Sequence, residues 1–248
     1  MRRSALLLGL LLSLAALPAF AAEVSVAVAA NFTKPAEDLG KAFTASTGDT
    51  VTFSFGATGG LYTQIGQGAP FEVFLAADNQ RPARAVSEGL GVEGTVFTYA
   101  VGKLALYSPT LDLTDGAAVL ASGNFQHIAI ADPATAPYGA AAMEVIDKLG
   151  LTASLASRQV TGENISQTLQ FVESGNAELG FVALSQVADK SAPEIWLVPA
   201  EDYAPIRQDA VLLRTGEANP AAAAFLAFLK SDEARAIIEA YGYEMGPN

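Results

Sequence analysis

Short apolar runs of two-residue period alternate with segments of helical period along this chain, and that alternation restricts the fold more than any other feature. Val24 to Val28 reads as a strand. Ala36, Leu39 and Phe43 follow at i, i+3 and i+7, the apolar face of a helix that Thr33 caps with Pro35 in its first turn. Val51 to Phe55 alternates again, a short helix surrounds Leu61 to Ile65, Phe71 to Ala76 is a third strand, and Pro82 starts a helix carrying Val86. Strands joined by helices imply βαβ units and a largely parallel sheet.

The middle of the chain differs. Phe97 to Tyr107 is one extended run broken at Gly102-Lys103, long enough to pass from one lobe to another. A strand at Ile128–Ala131, helices near 139–149 and 166–173, and a strand at Leu179–Ala183 follow. A second extended run, 210–214, leads to closing helices, with Asn219-Pro220 as a cap plus first-turn proline and Gly242 as a stop. The expectation is an α/β chain of two lobes, each a mixed, mainly parallel sheet flanked by helices. Two extended hinge crossings near 98–104 and 206–213 join them, with residues 22–100 and 209–248 as the first lobe and 101–208 as the second. A single doubly wound domain is the alternative that periodicity leaves open.

The first 21 residues read as a secretory signal peptide: Arg2-Arg3, an apolar run from Ala5 to Leu17, then Pro18-Ala19-Phe20-Ala21 as a small-x-small cleavage site. The apolar run is shorter than the roughly 20 residues a membrane span needs. Cleavage after Ala21 or Ala22 would remove both arginines and take the formal charge from −12 to −14. A chain this acidic is unsuited to nucleic acid, which is held by Lys and Arg on phosphates. With no Cys and only His127, thiol chemistry, thiolate metal sites and His-rich clusters are excluded. The expectation is an exported, periplasmic, monomeric protein without membrane insertion.

Four loops follow strands and open helices, where ligands of α/β sheets collect. They are Ala29 to Thr33, Gly56 to Gly60, Ala131 to Gly139 and Gly162 to Ser166. Each presents a helix N-terminus, whose free N–H groups and positive dipole end favour an anion, and none contains Lys or Arg. An anion held there is held by neutral donors. Ordinary helix capping is the competing reading of each loop taken singly. The P-loop, dinucleotide and nucleophile-elbow patterns are absent. His127 precedes an apolar strand and reads as structural, Asp78 and Asp132 as caps beside turns, and Trp196 as a core or rim residue.

Taken together and in order, these segments resemble the periplasmic molybdate-binding proteins of ABC transporters, a family with the two-lobed type II periplasmic binding protein fold. The resemblance runs through 29–32, 54–59, 68–78, 97–104, 131–133, 137–139 and 178–186 and covers essentially the whole mature chain. It implies a reversible binder and not an enzyme, without a cofactor, that encloses molybdate or tungstate between its lobes and delivers it to a membrane permease driven by an ATPase. The family's ligand positions fall on Asn31 and Thr58 as polar ligands and on Tyr138 and Ile165 as main-chain donors. All four touch the oxygens of the ion, not the metal. The chain departs from parts of the family at four positions: some members have Ser in place of Asn31 and many have Ser in place of Thr58, Ala183 stands where one branch has a ligand Tyr, and Ala30 where some relatives offer a hydroxyl. Sulfate, phosphate or a small organic anion is the runner-up ligand. An exported hydrolase built around His127 is the competitor from another class.

Overall fold

A computed structural model describes residues 21–246. The signal segment up to Phe20 therefore lies outside the described residues. Among the described residues ten strands and nine α-helices follow one another as β1 (Glu23–Ala29), α1 (Thr33–Thr47), β2 (Thr50–Gly56), α2 (Thr58–Gly66), β3 (Val73–Leu75), α3 (Gln80–Ser87), β4 (Phe97–Gly102), β5 (Leu104–Tyr107), α4 (Gly116–Ser122), β6 (Ile128–Ala131), α5 (Pro137–Lys148), α6 (Thr152–Leu155), β7 (Gln159–Gly162), α7 (Ile165–Glu173), β8 (Leu179–Ala183), β9 (Ile195–Leu197), β10 (Ile206–Leu212), α8 (Pro220–Phe228) and α9 (Asp232–Ala240). Among the described residues no helix is long and apolar enough to cross a membrane.

The strands form two five-stranded sheets with the same internal plan. The first runs β2-β1-β3-β10-β4 and the second β7-β6-β8-β5-β9. In the first, β1 pairs in parallel with β2 and β3, while β10 is antiparallel to both β3 and β4. In the second, β6 is parallel to β7 and β8, and β5 is antiparallel to β8 and β9. Each sheet thus has four strands in one direction and one reversed. The reversed strands, β5 and β10, are those that the chain enters on crossing between sheets. Lys103 alone separates β4 of the first sheet from β5 of the second, and residues 198–205 carry the chain back from β9 to β10. The first sheet accordingly holds the chain through Gly102 and from Ile206 onward, a little more on both sides than the boundaries expected at 100 and 209.

Each sheet buries its own core. Val24, Val26 and Val28 of β1 pack with Phe32, Leu39 and Phe43 and with Phe225 of α8, where Phe43 and Phe225 meet edge to face at 5.3 Å. Leu104, Leu106, Ile128, Ile130 and Phe181 form the second core with Tyr138, Val145 and Ile146 of α5. Strands buried on both faces read as continuous apolar runs, as parallel strands do.

Local chemistry matches the sequence at most ends. The Asn219 side chain accepts the Ala221 N–H with Pro220 in the first turn. Asp78 accepts the Arg81 N–H at 2.9 Å and Asp132 the Ala134 N–H at 2.9 Å, each holding a turn. His127 is exposed, and Trp196 is half-buried on edge strand β9 against the second core. Thr33 does not cap α1. The chain enters that helix through a 3-10 turn, Ala30–Phe32, and the Thr33 hydroxyl donates backward to the Ala30 carbonyl at 2.9 Å. With no side-chain cap on that turn, its first N–H groups have no acceptor inside the helix.

Candidate functional site

The four loops meet. Ala29, Ala30 and Asn31 at the end of β1, Gly56, Ala57 and Thr58 at the end of β2, Ala77 after β3, Ala136 to Tyr138 at the start of α5, and Ile165 at the start of α7 line one small cavity between the sheets. Asn31, Thr58, Tyr138 and Ile165 are all in that lining, and all four are almost fully buried. Among the described residues no Lys, Arg, His, Asp or Glu lines it. Its room, about 10 Å³, is close to that of one water-sized sphere and leaves no space for an extended organic solute. Ala183, though buried at the end of β8, is not part of the wall.

The helix starts explain which donors face the cavity. Asn164 caps α7 by accepting the N–H groups of Ser166 and Gln167 at 2.9 and 3.0 Å. That leaves Ile165, the first helical residue, with an N–H that has no acceptor in its own helix. In α5, Pro137 has no N–H and Gly139 donates back to Ala136 at 2.9 Å, so Tyr138 holds the corresponding position. In α2, Thr58 is first; its hydroxyl oxygen accepts the Ala77 N–H at 3.0 Å, which leaves the hydroxyl proton to be donated. Each helix also directs the positive end of its dipole at the cavity.

The lobes touch around this cavity. The Gly59 N–H donates to the Thr135 carbonyl at 2.9 Å, and the Ser166 hydroxyl to the Ala30 carbonyl at 3.2 Å. Arg81, ion-paired with Asp78, reaches the Ala134 carbonyl at 3.3 Å across the mouth. Beyond it lies a wider groove of about 280 Å³, which shares Ala77, Ala136 and Pro137 with the cavity wall.

The family model of bacterial extracellular solute-binding proteins matches residues 24–244. The chain belongs to that family. The molybdate-binding protein ModA of Rhodobacter capsulatus is 54% identical over 243 residues, covering 98% of this chain and 96% of the relative. ModA of Azotobacter vinelandii is 53% identical, with 97% of each covered. Among solved structures, an Azotobacter vinelandii periplasmic molybdate-binding protein superposes with a TM-score of 0.85 at 38% identity, covering 90% of this chain and all of that one.

In this solute-binding protein the wall behind the cavity is polar, and sequence reasoning did not reach it. The Asn31 side-chain amide donates both its hydrogens away from the cavity, to Gln208 Oε1 at 2.9 Å and to the Tyr243 hydroxyl at 2.8 Å. The Tyr138 hydroxyl likewise points away and accepts from Gln208 Nε2 at 3.1 Å. The Tyr99 hydroxyl donates to the Ala76 carbonyl at 3.0 Å. No signal in the sequence marks Gln208, Tyr243 or Ser185 as neighbours of the loops.

Burial pushes the hydroxyls of Tyr99 and Tyr138 well above the ordinary tyrosine range, and that of Tyr243 up to about 12. All three stay neutral through the physiological range. Unfolded tyrosines titrate near 10. The stability that comes from keeping these hydroxyls neutral is thus complete below about pH 10 and is lost as pH rises from 10 through 12. Thermal melts recorded from pH 8 to 11.5 are expected to hold level and then fall above 10, with part of the tyrosinate absorbance appearing only as the protein unfolds. Full tyrosinate absorbance in the folded protein at pH 10.5 would contradict this.

Proposed function

We propose that this protein is an exported, periplasmic solute-binding protein that captures molybdate, and tungstate with it, in the cavity between its lobes and hands it to the permease of an ABC transporter, which an ATPase drives. The observation that carries the reading is that four helix-opening loops from two lobes form one compact cavity without a charged side chain, in a chain more than half identical to molybdate-binding relatives. A tetrahedral dianion suits such a site. It presents oxygens in four directions, and donors arrive from β1, α2, α5 and α7. Thr58 contributes its hydroxyl, and Asn31, Tyr138 and Ile165 contribute main-chain N–H groups. Asn31 acts through its main chain because its amide hydrogens are committed to Gln208 and Tyr243.

Neutral donors leave the oxyanion fully charged and discriminate by size and donor count. An ion smaller than the donor shell leaves N–H groups unpaired, each at roughly 1–3 kcal/mol. Sulfate, the smaller ion, is therefore expected to bind at least tenfold more weakly than molybdate, whereas tungstate, of nearly the same size, is expected within a few-fold. Calorimetric titration of the mature protein with molybdate, tungstate, sulfate and phosphate tests this. Tighter binding of sulfate or phosphate overturns the ligand assignment.

The acidity of the chain is no obstacle. Net charge acts across the whole surface and through salt, whereas the cavity feels the nearest dipoles, and those are helix N-termini. The protein acts as a monomer, and its signal segment is removed after Ala21 or Ala22.

A further inference from the structure

Six polar side chains lie buried behind the cavity and bond to one another across the two lobes. Asn31, Tyr99, Gln208 and Tyr243 belong to the first lobe, Tyr138 and Ser185 to the second. Three of their bonds cross between lobes: Gln208 Nε2 to the Tyr138 hydroxyl at 3.1 Å, the Ser185 hydroxyl to the Asn31 carbonyl at 2.8 Å, and the Tyr243 hydroxyl to Ser185 Oγ at 2.9 Å. With the 2.8 Å bond from the Asn31 amide to Tyr243, the last two close a ring in which each hydroxyl accepts from one neighbour and donates to the next. Rings of this kind strengthen each member bond in a low-dielectric interior.

Two features of the hinge aim this cluster. The pairing of β10 with β4 slips between Gln208 and Asp209, passing from Ala100 to Thr98 so that Tyr99 has no partner in the register. A bulge re-aims side chains, and here Tyr99 and Gln208 both turn into the cluster. Gly102, at the crossing itself, is the second feature. A Cβ on it would lie 2.0 Å from the Tyr138 hydroxyl oxygen and 2.6 Å from Gln208 Nε2. The crossing is bare so that this bond can pass beside it.

We infer that the side chains of Tyr138, Gln208 and Ser185 form a closure latch: positioning groups that set oxyanion affinity through inter-lobe hydrogen bonds without themselves touching the ion. Every partner in the latch is a protein group. Its bonds therefore add to the closed state equally for any ion the cavity encloses, and apparent affinity scales with the fraction of protein able to close. The inference rests on the proposed oxyanion site, and its test separates the two.

The test uses Tyr138→Phe, which keeps the ring, and Ser185→Ala, after which the Tyr243 hydroxyl still reaches the Asn31 carbonyl at 3.0 Å. Molybdate, tungstate and sulfate affinities are measured by calorimetry, rates by stopped flow, and lobe separation of the ligand-free protein by distances between labels on Lys41 and Asn124. Tyr138→Phe is expected to weaken all three anions by a common factor of about five to thirty, carried by faster dissociation. It is also expected to lengthen the mean label distance. Ser185→Ala is expected to act in the same direction and more weakly. Wild-type dissociation rates and label distances in both variants would overturn the latch. So would a changed ratio of molybdate to sulfate affinity in Tyr138→Phe, which would make the Tyr138 hydroxyl a contact of the ion. A parent protein that binds none of the anions would instead overturn the oxyanion reading, and the label distances would still decide the latch.

Discussion

Gly59→Val is expected to weaken molybdate binding more than a hundredfold while the ligand-free protein melts within a few degrees of the parent. Gly59 is the second residue of α2, and its N–H crosses the cleft to the Thr135 carbonyl. A Cβ there would lie 3.0 Å from Thr135 Cα, 3.2 Å from the Thr135 carbonyl oxygen and 3.0 Å from an Arg81 guanidinium nitrogen. Alanine asks the facing loop to give by a few tenths of an ångström, and about a tenfold loss is expected. Valine adds two methyl groups to the same contact and holds the lobes apart, so the donors of α5 and α7 no longer reach an ion seated on Thr58 and the β1 turn. The lobe carrying α2 is not itself harmed, because glycine is the poorer helix former by roughly 0.5–1 kcal/mol relative to alanine. Gly60 is the control. It is the next residue of the same helix, and a Cβ on it meets nothing within 4 Å. Gly60→Ala is expected to bind as the parent does and to melt slightly higher. Calorimetry and thermal melts of the three variants decide the matter, and parent-like affinity in Gly59→Val would show that the two loops do not close on one another.

The half of the candidate site that lines the cavity was legible in the sequence because it consists of local features. A strand end, a turn residue and a helix start lie within a few positions of each other at Asn31, Thr58, Tyr138 and Ile165, and that local order gives each loop its N–H groups. The half behind it was not legible. Gln208 sits 177 residues from Asn31, and Tyr243 lies 212 residues away. Only the insertion of reversed strand β10 between β3 and β4 brings Gln208 beside the first loop, and only a bulge in that pairing turns it inward. Asn31 shows the consequence. The acceptors that take its side-chain amide, Gln208 and Tyr243, are marked by nothing in the loop itself. Short elements such as β7, β9 and α4 were similarly silent, since three to seven residues are too few to display a period. The start of α1 was misread at Thr33 because a 3-10 turn precedes the helix and moves the free donors back to the Ala30–Phe32 turn.

Thr58→Ala separates the two roles that one hydroxyl plays at the cavity. Its oxygen accepts the Ala77 N–H at 3.0 Å, which fixes the loop after β3, and among the described residues its proton is the only side-chain hydroxyl donor in the cavity lining that is not turned toward the hinge. A hydrogen bond to a charged group contributes about 1.5–3 kcal/mol, so its loss should weaken molybdate binding by roughly 10- to 150-fold. The Ala77 N–H, buried and deprived of its acceptor, should lower stability by about 1–3 kcal/mol in the ligand-free protein as well. Thr58→Ser keeps the oxygen and the proton and removes only a methyl group, so both affinity and melting temperature should return to near the parent values. Thr58→Val keeps the shape without the hydroxyl and should fail as Thr58→Ala does, in affinity and in stability. The pattern across the three variants matters more than any one of them: if Thr58→Ser loses affinity together with the other two, packing at this position controls binding and the hydroxyl does not, and the donor set of the cavity has to be redrawn around main-chain groups alone.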